Sequence, residues 1–234
     1  MTYHSQFEQD RFLDEVVFAK QKGGFFVDVG AHDGLTYSNS AFFEFYRSWD
    51  GICVEPNPQV FDKLKTARQV RCENCGLGAV EGVLRFTSIS GYAEMLSGFT
   101  DFYAAEHKER IARELEKRGG SVIELEIAVK PLSSLVDSHK TVDFMSIDTE
   151  GNELEVLKGI AFEKQHIRVL VIENNYQDNR VLEFLKELNY LKVFTLDTDN
   201  VYVLQSEWNA AMKYRLFKWK LLKKKVSILR RLCG

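Results

Sequence analysis

Four cysteines in 234 residues, Cys53, Cys72, Cys75 and Cys233, are too few and too unevenly spaced for a disulfide framework. Their scarcity points to a reducing, cytoplasmic compartment. Cys72-x-x-Cys75 lacks the second pair that a zinc site needs, so it reads as ordinary strand-end chemistry. No apolar run approaches the ~20 residues required to span a bilayer, and Met1–Asp10 is polar where a signal peptide would be apolar. Internal repeats and low-complexity linkers are also missing. With 45% hydrophobic residues, one sizeable α/β domain over residues 1–207 is the economical expectation. The last absence is of charge. None of the 34 acids lies beyond Glu207, whereas nine of the 31 Lys and Arg do, so a net charge of −3 divides into a body at −12 and a tail, 208–234, at +9.

What is present centres on Phe25–Gly34. Phe25 to Val29 is an apolar run with one internal acid, Asp28, as in a buried parallel strand. Gly30 and Gly34 mark a turn, and a helical pattern follows from about Ser38. Strand, glycine turn and helix make the nucleotide-binding opening of an α/β sheet, whose ligands sit at the carboxyl ends of strands. Gly30 would let the backbone approach a ligand closely. The pattern is Asp-x-Gly-x-x-x-Gly, not the dinucleotide Gly-x-Gly-x-x-Gly. An anion beside the turn would repel a pyrophosphate and suit a cation such as S-adenosylmethionine, with its sulfonium and α-ammonium. A tight turn with no ligand is the plainer alternative.

The rest of the chain alternates in the same way. A helix is expected over Ser5–Gln21, with Ser5 and Glu8 as a capping box and Phe12, Leu13, Val16 and Val17 on one face. Gly51–Glu55 is the second strand, and Glu55 ends it where a ribose diol is gripped in doubly wound sheets. Asn57 is the better cap for the helix carrying Phe61 and Leu64. Val70–Cys72 and Val83–Ile89 read as strands, with Cys75–Gly78 offering backbone to an adenine edge. Residues 91–120 form an insertion whose charged half, Asp101 to Arg118, places Ile111 and Leu115 on one side, as in a solvated helix or lid. Further strands are Ser121–Val129, Val142–Asp148, Arg168–Ile172, Leu191–Leu196 and Val201–Leu204.

Two of these strands end in oxygen-rich clusters, Asp148 with Glu150 and Glu173 with Asn174. In a parallel sheet such ends face the same cleft as Asp28 and Glu55. Facing carboxylates repel and ask for a counter-charge. Oxygen ligands without Cys or His select Mg²⁺, Mn²⁺ or Ca²⁺. Helix capping by Asp148 or Thr149 competes with the metal reading at the first cluster and explains the second less well.

Taken together, Ser5–Gln6 with Gln9–Asp10, Phe26–Gly34, Gly51–Pro58 and above all Ser146–Glu153 carry a resemblance. The chain resembles the FkbM-type family of S-adenosylmethionine-dependent O-methyltransferases over roughly residues 5–204. The resemblance implies an α/β, Rossmann-like class I methyltransferase fold, a mostly parallel sheet of about seven strands with one antiparallel and helices on both faces. It also implies methyl transfer to a hydroxyl, commonly of sugars or polyketide-type natural products. The expected cofactor contacts are Gln6, Gln9, Asp28, Gly30, His32, Gly34, Ser38, Glu55, Pro56, Asn57, Cys75 and Gly76. The strand-end cluster also resembles the divalent-metal site of catechol-type O-methyltransferases, which would make Asp148, Glu173 and Asn174 the ligands. Those enzymes place a Lys or His where this chain has Gly151, so Glu150 and His32 become the candidate bases beside a catalytic Asp148. Amino-group methylation is disfavoured, because its Asn/Asp-Pro-Pro-aromatic turn is replaced by Asp148–Gly151. A silent binding subunit of the same fold, or transfer to a natural-product or lipid hydroxyl, are the competing functions.

The tail has its own pattern. Leu216, Trp219, Leu222, Val226 and Leu229 recur at helical steps, widened by Phe217, Leu221, Ile228 and Leu232, with Lys218, Lys220, Lys224, Lys225 and Arg231 largely outside the stripe. A basic amphipathic helix of this kind suits a membrane surface. It equally suits packing on the body or on a second subunit, as in a homodimer. The acidic body makes nucleic acid the poorer partner.

Overall fold

The computed structural model describes residues 1–176 and 179–233, with side chains to residue 225. Its strands are β1 (Phe25–Val29), β2 (Asp50–Val54), β3 (Arg71–Glu73), β4 (Gly76–Leu77), β5 (Gly82–Ile89), β6 (Gly98–Phe99), β7 (Val122–Lys130), β8 (Val142–Ile147), β9 (Ile167–Glu173), β10 (Tyr190–Leu196) and β11 (Asp199–Leu204). The helices are α1 (Gln9–Phe12), α2 (Ala41–Arg47), α3 (Pro58–Ala67), α4 (Ala105–Arg118), α5 (Glu153–Lys158), α6 (Arg180–Glu187) and α7 (Ala210–Cys233).

A seven-stranded sheet runs β10-β11-β9-β8-β1-β2-β3, and only β11 opposes its neighbours. This is the sheet that the resemblance implies. Alternate residues of β1 part company across it: Phe25, Val27 and Val29 join one apolar layer and Phe26 the other, as the two-residue period of a strand requires. The first layer holds Val156 and Leu157 of α5 and Val181 and Leu185 of α6. The second holds α1, Phe42 and Phe43 of α2, Leu64 of α3 and the start of α7. At its centre Phe18, Phe43, Trp49 and Phe144 pack ring on ring, with centroids 4.8–6.1 Å apart.

A second, four-stranded sheet, β4-β7-β5-β6, was not foreseen as a unit. Antiparallel pairing of β5 with β7 clamps the ends of segment 91–120, where Ser90 and Ser121 join through main chain and hydroxyls. Ile111 and Leu115 of α4 pack onto Ile89, Leu96 and Tyr103, so the segment is fastened to the second sheet through β5.

The N-terminal helix departs from expectation. Helix begins only at Gln9 and turns into a π-helical stretch over Leu13–Val17. Asp10 accepts from the amides of His4 and Ser5 and from the Ser5 hydroxyl, which folds the preceding residues into a turn. Glu8 has φ +66° and pairs with Arg11, so no capping box forms. In the tail, Met212, Leu216 and Trp219 are buried against the second layer, while Leu222, expected in the same stripe, is exposed. Val226, Ile228, Leu229, Arg231 and Leu232 lie outside the described side chains. Among the described residues, no helix is long and apolar enough to cross a membrane.

Candidate functional site

β1 and β8 are neighbours, and the chain order reverses between them. Ligands of open α/β sheets bind at this switch point. Gly30 follows β1 there with φ +80°, and a Cβ on it would stand 1.7 Å from the carbonyl oxygen of Asp148. The glycine is required by the end of the adjacent strand, before any ligand is considered.

A cavity of about 340 Å³ opens at these strand ends. Gln6, Gly30, His32, Glu55, Pro56, Asn57, Cys75 and Gly76 line one part of it, and Asp148, Thr149, Glu150 and Glu173 another. The second sheet supplies Phe86 and Phe99, and the segment between β5 and α4 adds Glu94 to Gly98.

Glu55 is buried beside the β1 turn. Its Oε1 accepts the Asn57 amide at 2.8 Å and its Oε2 the His32 amide at 2.9 Å. Burial pushes its pKa from 4.5 up to about 7 against those two hydrogen bonds. The sign for stability follows: its contribution is full below the ordinary value and is lost as pH rises through about 7. Asn57 caps α3 through the Gln59 amide, which leaves Glu55 free of that duty.

Four expected cofactor contacts lie behind the wall. Asp28 points into the α2 layer, where it accepts the Ser40 hydroxyl, and burial raises its pKa. Ser38 is buried beside Ser40 and Arg68. Gly34 packs against Leu64 and Arg68. Gln9 bridges the Phe7 amide and Asp199, tying the N-terminal turn to β11. These residues shape the cavity without lining it.

At the other end, carboxylate oxygens of Asp148, Glu150 and Glu173 lie within 4.8 Å of one another. Asp148 is open to the cleft, yet the surrounding protein is dense enough that desolvation, with Glu150 and Asp199 nearby, holds its pKa well above the carboxylate range. Glu173 is raised likewise, by burial and then by Asp148. Glu150 is pushed up to about 7 by burial. A left-handed turn, φ +55°, carries Glu150 inward. Its Oε2 is buried and accepts no hydrogen bond, with His107 Nδ1 3.4 Å away. α5 starts after Asn152 without a side-chain cap, and Glu153 instead ties the preceding turn by accepting from Thr149 and Gly151. Asp148 caps nothing and faces the cleft.

Asn174 is not part of the lining. Its amide donates to the Thr198 carbonyl, and Asn175 reaches the cavity instead. His32 stands with Glu55 and with Glu94, 3.3 Å from its Nε2, rather than with the three-carboxylate cluster. Cys75 lines the wall as a buried thiol pushed up to about 11, and the acidic cluster is the metal-capable group among the described residues.

Sequence reasoning missed His107, Arg110 and Tyr176. His107 is buried between the Leu96 carbonyl and the Tyr176 hydroxyl, each 3.0 Å from a ring nitrogen, and burial lowers its pKa. Arg110 lines the cavity one turn later. The available signal was position: His107 lies four residues before Ile111 and eight before Leu115, on the side of the helix that carries them.

Several proteins are similar to this chain. Methyltransferase sdnD of Sordaria araneosa is 24% identical over 211 residues, covering 79% of this chain and 76% of that protein. Among solved structures, the methyltransferase FkbM of Methylobacillus flagellatus KT aligns with TM-score 0.47 and 16% identity over 83% of this chain. The chain spans 50% of that protein's length. A methyltransferase of Pyrococcus furiosus aligns with TM-score 0.41 and 12% identity over 88% of each chain. The methyltransferase FkbM domain family matches residues 28–192, more than half of the sequence, and the chain belongs to that family.

Proposed function

We propose that this protein transfers a methyl group from S-adenosylmethionine to a hydroxyl of a sugar or glycan, assisted by a divalent cation. The observation that carries the reading is the shared cavity: Glu55 follows β2 and the Asp148–Glu150–Glu173 cluster follows β8 and β9, on either side of β1. S-adenosylmethionine supplies an electrophilic methyl when bound. Glu55 would accept the two ribose hydroxyls, and its ionised form would do so best. An all-oxygen donor set fits Mg²⁺ or Mn²⁺. Asp148 and Glu173 would hold the ion, which would lower the pKa of an acceptor hydroxyl. Glu150, beside them, would take that proton. Because Asp148 and Glu173 must release protons first, cation affinity should rise with pH.

The deciding experiment incubates the chain with labelled S-adenosylmethionine and a panel of glycans, with EDTA or with Mg²⁺ or Mn²⁺. Label should enter a hydroxyl only with the cation present. Full activity in EDTA would sink the metal part, and label confined to amines would sink the acceptor class.

Cofactor binding is tested separately by calorimetry. Glu55→Ala should weaken binding of S-adenosylhomocysteine by roughly 1.5–3 kcal/mol, as for hydrogen bonds to a charged group. In the unsubstituted protein the affinity should fall as pH drops below about 7, where the Glu55 carboxyl takes up its proton. A flat profile from pH 8 to about 6 would detach Glu55 from the ribose.

A further inference from the structure

We infer that the outward face of α7 docks this protein on an anionic lipid surface. The helix has two faces. Inward, Met212, Leu216 and Trp219 are 4%, 8% and 4% exposed, and Trp219 meets Phe12 edge-on at 5.6 Å between centroids. Arg215 donates to the carbonyls of Val16 and Val17, and Lys223 pairs with Glu8. This face is fastened to the N-terminal helical segment. At about 100° per residue, Tyr214, Phe217 and Leu221 fall on the opposite side. They are 58%, 59% and 44% exposed, with Leu222 at 58% on the flank. Lys213, Lys218, Lys220, Lys224 and Lys225 stand among and beside them, and residues 208–234 contain no acid.

A helix already packed through one stripe has no folding reason to carry a second. Aromatic and leucine side chains interleaved with lysine are the composition of a helix lying in the interfacial zone of a bilayer. A second copy would set lysine against lysine with no acid on either helix to pair with. Nucleic acid would use the lysines and leave Leu221 and Leu222 without a partner. The body, at −12, is repelled by the same surface, so attraction through the +9 tail orients the molecule. The inference goes beyond the methyl-transfer proposal and does not depend on it.

The test is co-sedimentation of the full chain with phosphatidylcholine vesicles, with and without phosphatidylserine, at low salt. Binding to the anionic vesicles alone is expected. Lys218→Gln with Lys225→Gln should weaken it about 25-fold, about fivefold for each charge removed. Phe217→Ser with Leu221→Ser should weaken it at least about tenfold. All four positions face outward, so both variants should melt as the unsubstituted protein does. Absence from the anionic pellet, equal binding to neutral vesicles, or insensitivity to the Phe217/Leu221 pair would each overturn the inference. So would a dimer that the same pair abolishes in a protein that ignores vesicles, which would assign the face to a second copy.

Discussion

Glu150→Gln should lower the turnover of methyl transfer by about 10²–10⁴-fold, the usual worth of a positioned proton acceptor. The substitution keeps the size and planarity of the side chain and removes its basicity. It leaves Glu55 untouched, so affinity for S-adenosylhomocysteine should stay within about twofold, well under 1 kcal/mol. Glu150→Asp should recover part of the rate, since a carboxylate returns at a shorter reach. Rates measured at saturating cofactor and Mg²⁺ separate the outcomes. An unchanged rate would remove Glu150 from the proton path and return the search to His32, at the other end of the cavity.

The largest effect on stability is expected for Gly30→Ala. The added methyl would overlap the Asp148 carbonyl at 1.7 Å, and φ +80° is itself unfavourable for alanine. Neither clashing group is a flexible side chain, so β1 and β8 must separate where they are hydrogen-bonded from Phe26 to Val29. A loss of about 4 kcal/mol or more is expected, at the extreme of single substitutions. Urea denaturation followed by circular dichroism measures it. A loss below about 1 kcal/mol would mean that the two strand ends yield far more easily than their pairing implies. Gly23 provides the control: it shares a positive φ of +69° but has nothing within 4 Å of the added carbon.

The parallel strands β1, β2, β8 and β9 were legible because each is a short, largely apolar run ended by a turn or polar residue. Glu55 and Asp148 were legible as acids at such ends. Asp28 was misplaced for a physical reason. A central strand covered on both faces shows no polar side, so the pattern around Asp28 cannot tell which layer it enters. The exchange of Asn174 for Asn175 is a similar ambiguity, one residue past a strand end. Glu150 joins the cluster through a left-handed backbone that Gly151 hints at but does not dictate. The second sheet escaped because β5 and β7 pair across more than thirty residues, with no local turn to announce them. In the tail, packing claims Leu216 and Trp219, and Leu222 falls on the exposed flank.

The clamp at Ser90 and Ser121 has a consequence for how this scaffold can diversify. Segment 91–120 leaves and re-enters the molecule at two hydrogen-bonded points, so its ends meet whatever lies between them. Lengthening a loop with pinned ends costs little, about 0.6 kcal/mol for each doubling. The strand ends that carry Glu55 and Asp148 belong to a different sheet and do not share that closure. Descendants of this chain can therefore exchange the whole segment, with His107 and Arg110 on it, as a cassette. The part of the cavity wall that this segment supplies is free to drift while the strand ends stay as they are.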